Sequence, residues 1–143
     1  DNRRPVDFMS RFDDLADVEA SEEWPPETLH LEKIHLTATA LRLRRDRPEL
    51  FGPSATYEPL QGGDHVTGFV RSGEVAAVVT RAPGRLRRAG GWRDEGVGLA
   101  PGRWRDLLSG RVHDVSDDGQ LGCTDLFADA PVALLVRDEE EQA

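Results

Sequence analysis

The hydrophobic period of this chain changes once, near Phe51-Gly52-Pro53, and that change restricts the fold more than any single motif does. Before it, apolar residues recur every three or four positions, the spacing of one helical face; after it they alternate, the spacing of one face of a strand. Phe8, Met9, Phe12, Leu15 and Ala16 mark an amphipathic helix over Val6 to about Glu19, with Arg11, Asp13, Asp14 and Asp17 opposite. Pro5 is placed in its first turn, where a missing N–H is harmless. Trp24-Pro25-Pro26 then interrupts, since consecutive prolines cannot continue a helix. A second helix is expected from Pro26 or Glu27 to Asp46. It carries two apolar stripes, Leu31, Ile34, Ala38 and Leu41 beside Leu29, Leu36, Ala40 and Leu43, so it expects cover on two sides. Its basic end, Leu41-Arg-Leu-Arg-Arg45, complements the negative pole of the helix dipole, and Pro48 prevents continuation.

Beyond Pro53, His65 to Ser72, Gly73, and Glu74 to Arg81 read as a hairpin with a Ser-Gly turn. Val97 to Leu99, Trp104 to Leu107 and Val132 to Arg137 add short strands separated by Gly, Pro and Asp turns. The expected class is α+β, two helices followed by an antiparallel all-β sandwich of roughly 85 residues. Two helices, one apolar nearly all round, cannot bury themselves on one small sandwich without leaving apolar surface bare, around Leu29, Leu36 and Leu43.

Composition excludes several functions. Net charge is −9, which argues against nucleic acid as the main partner. No apolar run approaches the roughly 20 residues of a membrane span. The lone Cys123 cannot form an internal disulfide, which fits a reducing cytoplasm. His30, His35, His65 and His113 lack metal-ligand spacing, so neither metal nor other cofactor is expected. Asp13 or Asp14 with Asp17 shares a helical face, but a solvated one that does not separate two carboxylate pKa values. Asp117-Asp118-Gly119 reads as a turn, and nucleophile and phosphate-loop signatures are absent.

Three constellations stay open. Arg42 to Arg45 and Arg85-Leu-Arg-Arg88 are either an anion-binding patch or, respectively, helix-end electrostatics and a solvated strand connection. Trp92 and Trp104 are either core residues or sugar-stacking platforms, the latter making the chain a stand-alone carbohydrate-binding module. Asn2, Arg3 and Arg4 set one amide and two guanidiniums before a helix, stiffened by Pro5; they suit carboxylates or sugar hydroxyls, or a structural salt bridge.

Asp1-Asn-Arg-Arg-Pro-Val-Asp7, Leu41-Arg-Leu-Arg-Arg-Asp-Arg-Pro-Glu-Leu-Phe-Gly52, Tyr57-Glu-Pro-Leu60, Gly90-Gly-Trp-Arg-Asp94, Leu99-Ala-Pro-Gly-Arg-Trp-Arg-Asp-Leu-Leu-Ser-Gly110 and Pro131-Val-Ala-Leu-Leu-Val136 occur in that order. Together they resemble the C-terminal end of the maltooligosyltrehalose synthase family, of the α-amylase superfamily. The resemblance implies a fragment: residues 1–53 would be an active-site loop and closing helices of a (β/α)8 barrel, and residues 54–143 an appended β-sandwich. The catalytic acids would lie upstream, so the chain alone would be inactive and no catalytic residue is carried over. The implied reaction turns a reducing-end α-1,4 link of a maltooligosaccharide into the α,α-1,1 link of trehalose by intramolecular transglucosylation. Similar retaining enzymes use two carboxyls about 5 Å apart and a covalent glycosyl intermediate. Arg4, then Arg3, with Asn2, would orient a sugar hydroxyl or an active-site carboxylate. The implied partners are the substrate and the barrel, and the implied location is cytoplasmic.

Overall fold

The computed structural model describes residues 5–21 and 23–138. Helix α1 spans Phe8–Ala20 and α2 spans Leu29–Asp46. Each begins two or three residues later than the apolar period suggested, directly after a capping residue. Asp7 accepts from Ser10 N–H at 3.1 Å and Thr28 from Leu31 N–H at 3.3 Å, so each side chain takes over an orphan donor of a first helical turn. Pro5 therefore precedes the cap of α1 rather than sitting in its first turn. A 3₁₀ turn, Pro48–Phe51, follows α2.

Eight strands come next: β1 Tyr57–Pro59, β2 Val66–Arg71, β3 Val75–Thr80, β4 Gly96–Gly98, β5 Gly102–Asp106, β6 Val112–Val115, β7 Gln120–Gly122 and β8 Val132–Arg137. Two short helices lie between them, α3 Pro83–Arg88 and α4 Cys123–Leu126. The main sheet is antiparallel with order β1-β2-β3-β8-β5-β6, and β4 pairs with β7 in a separate antiparallel ribbon. The expected hairpin is β2–β3. Ser72 and Gly73 both have positive φ, 51° and 69°, and Glu74 N–H donates to Arg71 O at 2.9 Å. Gly68 is required there, because a Cβ would strike the carbonyl of Ala77 on the paired strand.

Strands β3 and β8 sit at the centre of the sheet and are apolar on both faces, the pattern of strands covered on both sides. Ala76, Val78, Ala133 and Leu135 face a core closed by Val97, Leu99, Leu121, Cys123, Leu126 and Phe127 from the ribbon and α4. Val75, Leu134 and their partly buried neighbours Ala77, Val132 and Val136 face the other way, onto Leu36, Ala40 and Leu43 of α2 and onto Leu50 and Phe51 of the 3₁₀ turn. The chain is therefore layered as helix, sheet, and ribbon with α4. The second β layer is a ribbon and a short helix, not a sheet comparable to the first.

This layering corrects the expected bare surface. Leu36 and Leu43 lie against the sheet, and Ile34, Ala38 and Leu41 turn toward α1. Leu29 is exposed as expected, but the most exposed large apolar side chains are Phe8, Met9 and Phe12 of α1, 75, 73 and 73 %, with Leu41 of α2, Tyr57 and Val6 also bare. Where the first helix meets the second, Asp14 accepts from Arg11 at 3.0 Å and pairs with His30 at 2.8 Å. Val18 is the one buried residue of α1.

Candidate functional site

Asn2, Arg3 and Arg4 fall outside the described residues, so the geometry available begins at the helix they precede. Asp7 caps α1, and the apolar side chains Phe8, Met9 and Phe12 project next to that cap. Behind them, Arg11 and Leu15 of α1 and His30, Lys33, Ile34, Thr37, Ala38 and Leu41 of α2 line an open, largely apolar groove of about 330 Å³. The residues expected to orient a sugar thus precede, in sequence, a helix that presents Phe8, Met9 and Phe12 outward.

The described acids do not form a catalytic pair. A general acid working at neutral pH needs its pKa raised by burial or by a like charge. Here the shifts run the other way. The hydrogen bond from His30, reinforced by Arg11, holds Asp14 below the ordinary carboxylate range; Arg45 does so for Asp46, Arg47 for Glu49 and Arg105 for Asp138. For Glu95, burial pushes upward, but hydrogen bonds from the His65 ring and backbone outweigh it and the carboxyl is lowered. That pair fastens the loop before β2 to the start of β4, a structural task. Asp106 is buried and accepts from Leu108 N–H, Leu134 N–H and the Ser109 hydroxyl, at 3.1, 3.1 and 2.6 Å, so its lone pairs serve a turn at the end of β5. Asp118 likewise accepts from Gln120 N–H at 3.1 Å and Gly119 has φ of 67°, which makes Asp117-Asp118-Gly119 the turn it was read as.

The nucleophile and metal readings end in the same place. Burial pushes the Cys123 thiol up to about 11, so it is not a ready thiolate. Among the described residues no group of three or more His, Cys, Asp and Glu side chains could hold a metal ion, and no helix is long and apolar enough to cross a membrane.

The two tryptophans part company. Trp104 is fully buried and its Nε1–H donates to Ala100 O at 2.9 Å, which removes it as a sugar platform. Trp92 is only partly buried; it stacks on Phe127 with ring centroids 5.0 Å apart and planes 21° from parallel. The arginine clusters part company as well. Arg45, in the last turn of α2, pairs with Asp46, the helix-end role, while Arg42 bridges to Glu19 of α1. The cluster Arg85 to Arg88 lies on α3, a helix where a strand connection was expected. Pro83 starts α3 and Leu86 is its single inward apolar residue, too little period to be legible.

No family model matches this chain. Two Mycobacterium tuberculosis proteins, named maltooligosyl trehalose synthase as a provisional assignment, are each 38 % identical to it over 141 residues. That alignment covers 96 % of this chain and 16 % of the relative, so the chain spans about one sixth of the length of the curated relatives it matches. Among solved structures, maltooligosyltrehalose synthase from Arthrobacter ramosus and a single-substitution mutant of it are 40 % identical, with TM-scores of 0.76 and 0.80. Each is matched over 96 % of this chain and 18 % of that one. A further maltooligosyl trehalose synthase structure, 22 % identical with a TM-score of 0.59, shares the fold. The resemblance read from the residues is borne out: over nearly its whole length the chain is similar to a segment of these synthases.

Proposed function

We propose that this chain is the C-terminal part of an enzyme like maltooligosyltrehalose synthase, which isomerises the reducing-end α-1,4 link of a maltooligosaccharide into the α,α-1,1 link of trehalose. The observation that carries the reading is similarity at 38 to 40 % identity over 96 % of the chain, accompanied by the same fold. Residues 1–53 are read as the end of the catalytic barrel and residues 54–143 as the appended domain. The exposed Phe8, Met9 and Phe12 support this, because three large apolar side chains on one exposed helix suit a face that packs on further protein.

In this reading the catalytic carboxylates belong to the barrel, and the chain supplies shape and rim. Transglucosylation within one substrate requires that water be kept from the glycosyl intermediate while the released glucose turns and attacks through its anomeric hydroxyl. The rim at the C-terminal face of a barrel is where substrate is oriented and water excluded. Arg4 and Arg3, with Asn2, are read as residues of that rim, guanidinium and amide groups being suited to a sugar hydroxyl or a catalytic carboxylate. Pro5 and the Asp7 cap then turn the chain from the rim into α1.

A chimera tests the reading. The corresponding segment of the Arthrobacter ramosus enzyme is replaced by this chain, and trehalose-ended product from maltopentaose is measured. The chimera is expected to form product, and the 143-residue chain alone is expected to form none. Arg4→Ala in the chimera is expected to lower kcat/KM by about 10²-fold, the scale of losing one positioning contact. A chimera that melts cooperatively and forms no product overturns the assignment.

A further inference from the structure

The large apolar side chains that the described residues leave in solvent are not scattered. Val6, Phe8, Met9 and Phe12 lie on or just before α1, Leu29 and Leu41 on α2, and Tyr57, Val79 and Val112 on the main sheet. Register fixes their side of it. Tyr57 pairs with Arg71, Arg71 with Val75, Val75 with Val136, Val136 with Arg105 and Arg105 with Val112, a row across all six strands. Partners in an antiparallel pair share a face, and Val75 and Val136 pack toward α2. Val79 pairs with Val132, which packs there too. All nine therefore lie on the helix side of the molecule, and none on the side closed by the ribbon.

Width explains this. Six strands about 4.8 Å apart make a sheet about 24 Å wide, whereas one helix covers about 10 Å. Helix α2 covers the central strands, β3 and β8, and leaves a flank on either side. The two flanks differ in chemistry. On β5 and β6, Val112 stands among ions: Arg103 pairs with Asp114 at 3.7 Å and Arg105 with Asp138 at 3.1 Å, so this flank suits water. On β1 and β2, Tyr57 stacks on Phe69 with ring centroids 5.0 Å apart and planes 29° from parallel, Pro59 pairs with Phe69, and Val79 stands opposite Thr67. The charged residue on this face, Arg71, donates to Leu50 O at 3.1 Å and lies over the Phe51 ring at 5.4 Å. No carboxylate of β1 or β2 shares the face, since Glu58 pairs with Val70, which packs into the opposite core.

We propose that the β1–β2 flank is an interface in its own right, covered in the full-length enzyme by the segment upstream of residue 1. The proposal rests on the synthase reading, in which most of the protein lies outside this chain, the curated relatives being matched over 16 % of their length. It adds to the α1 contact of that reading, because the upstream segment then reaches the sheet itself and covers Tyr57, Pro59, Phe69 and Val79. Interface cores are rich in aromatic side chains and poor in charge, which describes this flank and not the other.

Hydroxyl-radical labelling, read by peptide mass spectrometry, compares the 143-residue chain with the chimera made with the Arthrobacter ramosus enzyme. Tyr57 and Phe69 are expected to lose most of their labelling in the chimera, while Trp92, on the ribbon side, labels equally in both. Tyr57→Ser is expected to lower the melting midpoint of the chimera and to leave that of the chain alone unchanged. Tyr57→Phe keeps the ring and is expected to melt like the parent chimera, and Val112→Ser, on the ion-paired flank, is expected to change neither protein. A chimera that forms product yet labels Tyr57 and Phe69 as the chain alone does overturns the inference and leaves the synthase reading standing. A folded chimera without product overturns both. Protection that vanishes on dilution assigns the flank to a second copy and overturns the inference as well.

Discussion

Strand β8 and helix α1 both carry large apolar side chains, yet β8 is buried on its two faces while α1 leaves Phe8, Met9 and Phe12 in solvent. The difference lies in the neighbours. Strand β8 is paired on either side, by β3 and β5, with α2 above and the ribbon below. Helix α1 turns little more than Asp14, Leu15 and the buried Val18 away from solvent, beside the half-exposed Arg11 and the His30 ring of α2, and the rest of its apolar stripe faces outward. Each large side chain left bare forfeits about 1.5–3 kcal/mol that burial would supply. A periodic pattern identifies an apolar face; it does not say what will cover it.

Substitutions that separate the two regions make this measurable. The largest effect is expected for Trp104→Ala, which empties the fully buried ring site and orphans the Ala100 carbonyl; urea unfolding should show a loss of about 3–5 kcal/mol. Next comes Asp106→Ala, which deprives two buried N–H donors and the Ser109 hydroxyl of their acceptor, at a cost of about 2–4 kcal/mol by the same measurement. Phe12→Ala on α1 is expected to change the stability of this chain by no more than about 0.5 kcal/mol, and to lower binding of an apolar dye. A Phe12→Ala cost near that of Trp104→Ala would erase the contrast.

Acidity probes the boundary between the regions. His35 of α2 stacks near Trp24 with ring centroids 5.1 Å apart, and its Nε2 is buried without a partner among the described residues. Burial lowers its pKa below 6.5 and Arg42 adds to this, while the Leu108 backbone and Asp106 oppose it. The unfolded chain therefore takes up the proton first as pH falls. The neutral ring's contribution is complete above about 6.5 and is lost as pH drops toward the lower folded value. Stability measured at pH 5 is expected to be lower than at pH 7.5, and His35→Gln is expected to flatten that difference.

Much of the framework was legible in the residues. The change of period near Pro53, the Ser-Gly hairpin and strand 132–137 all appear because each involves several residues obeying one spacing. The helix starts fall two or three residues later than read, because Asp7 and Thr28, read as lying inside the helices, are their N-caps. Strands β1, β6 and β7 and helices α3 and α4 escaped because segments of three to six residues rest on pairing and packing with distant chain. Val75 to Val79 and Val132 to Val136 read in period two, yet their apolar residues on both parities already required two covering layers, and that requirement placed α2 on the sheet. Of the site, the tryptophans needed burial to be told apart, and the second arginine cluster needed a helix no pattern announced.

The claim that α1 is a face awaiting its cover is tested most directly by amide hydrogen exchange, compared between the 143-residue chain and the chimera with the Arthrobacter ramosus enzyme. Residues 8–20 are predicted to exchange rapidly in the chain alone and to become protected in the chimera, while β3 and β8 are protected in both. Equal exchange of residues 8–20 in the two proteins, with the chimera folded, would contradict it.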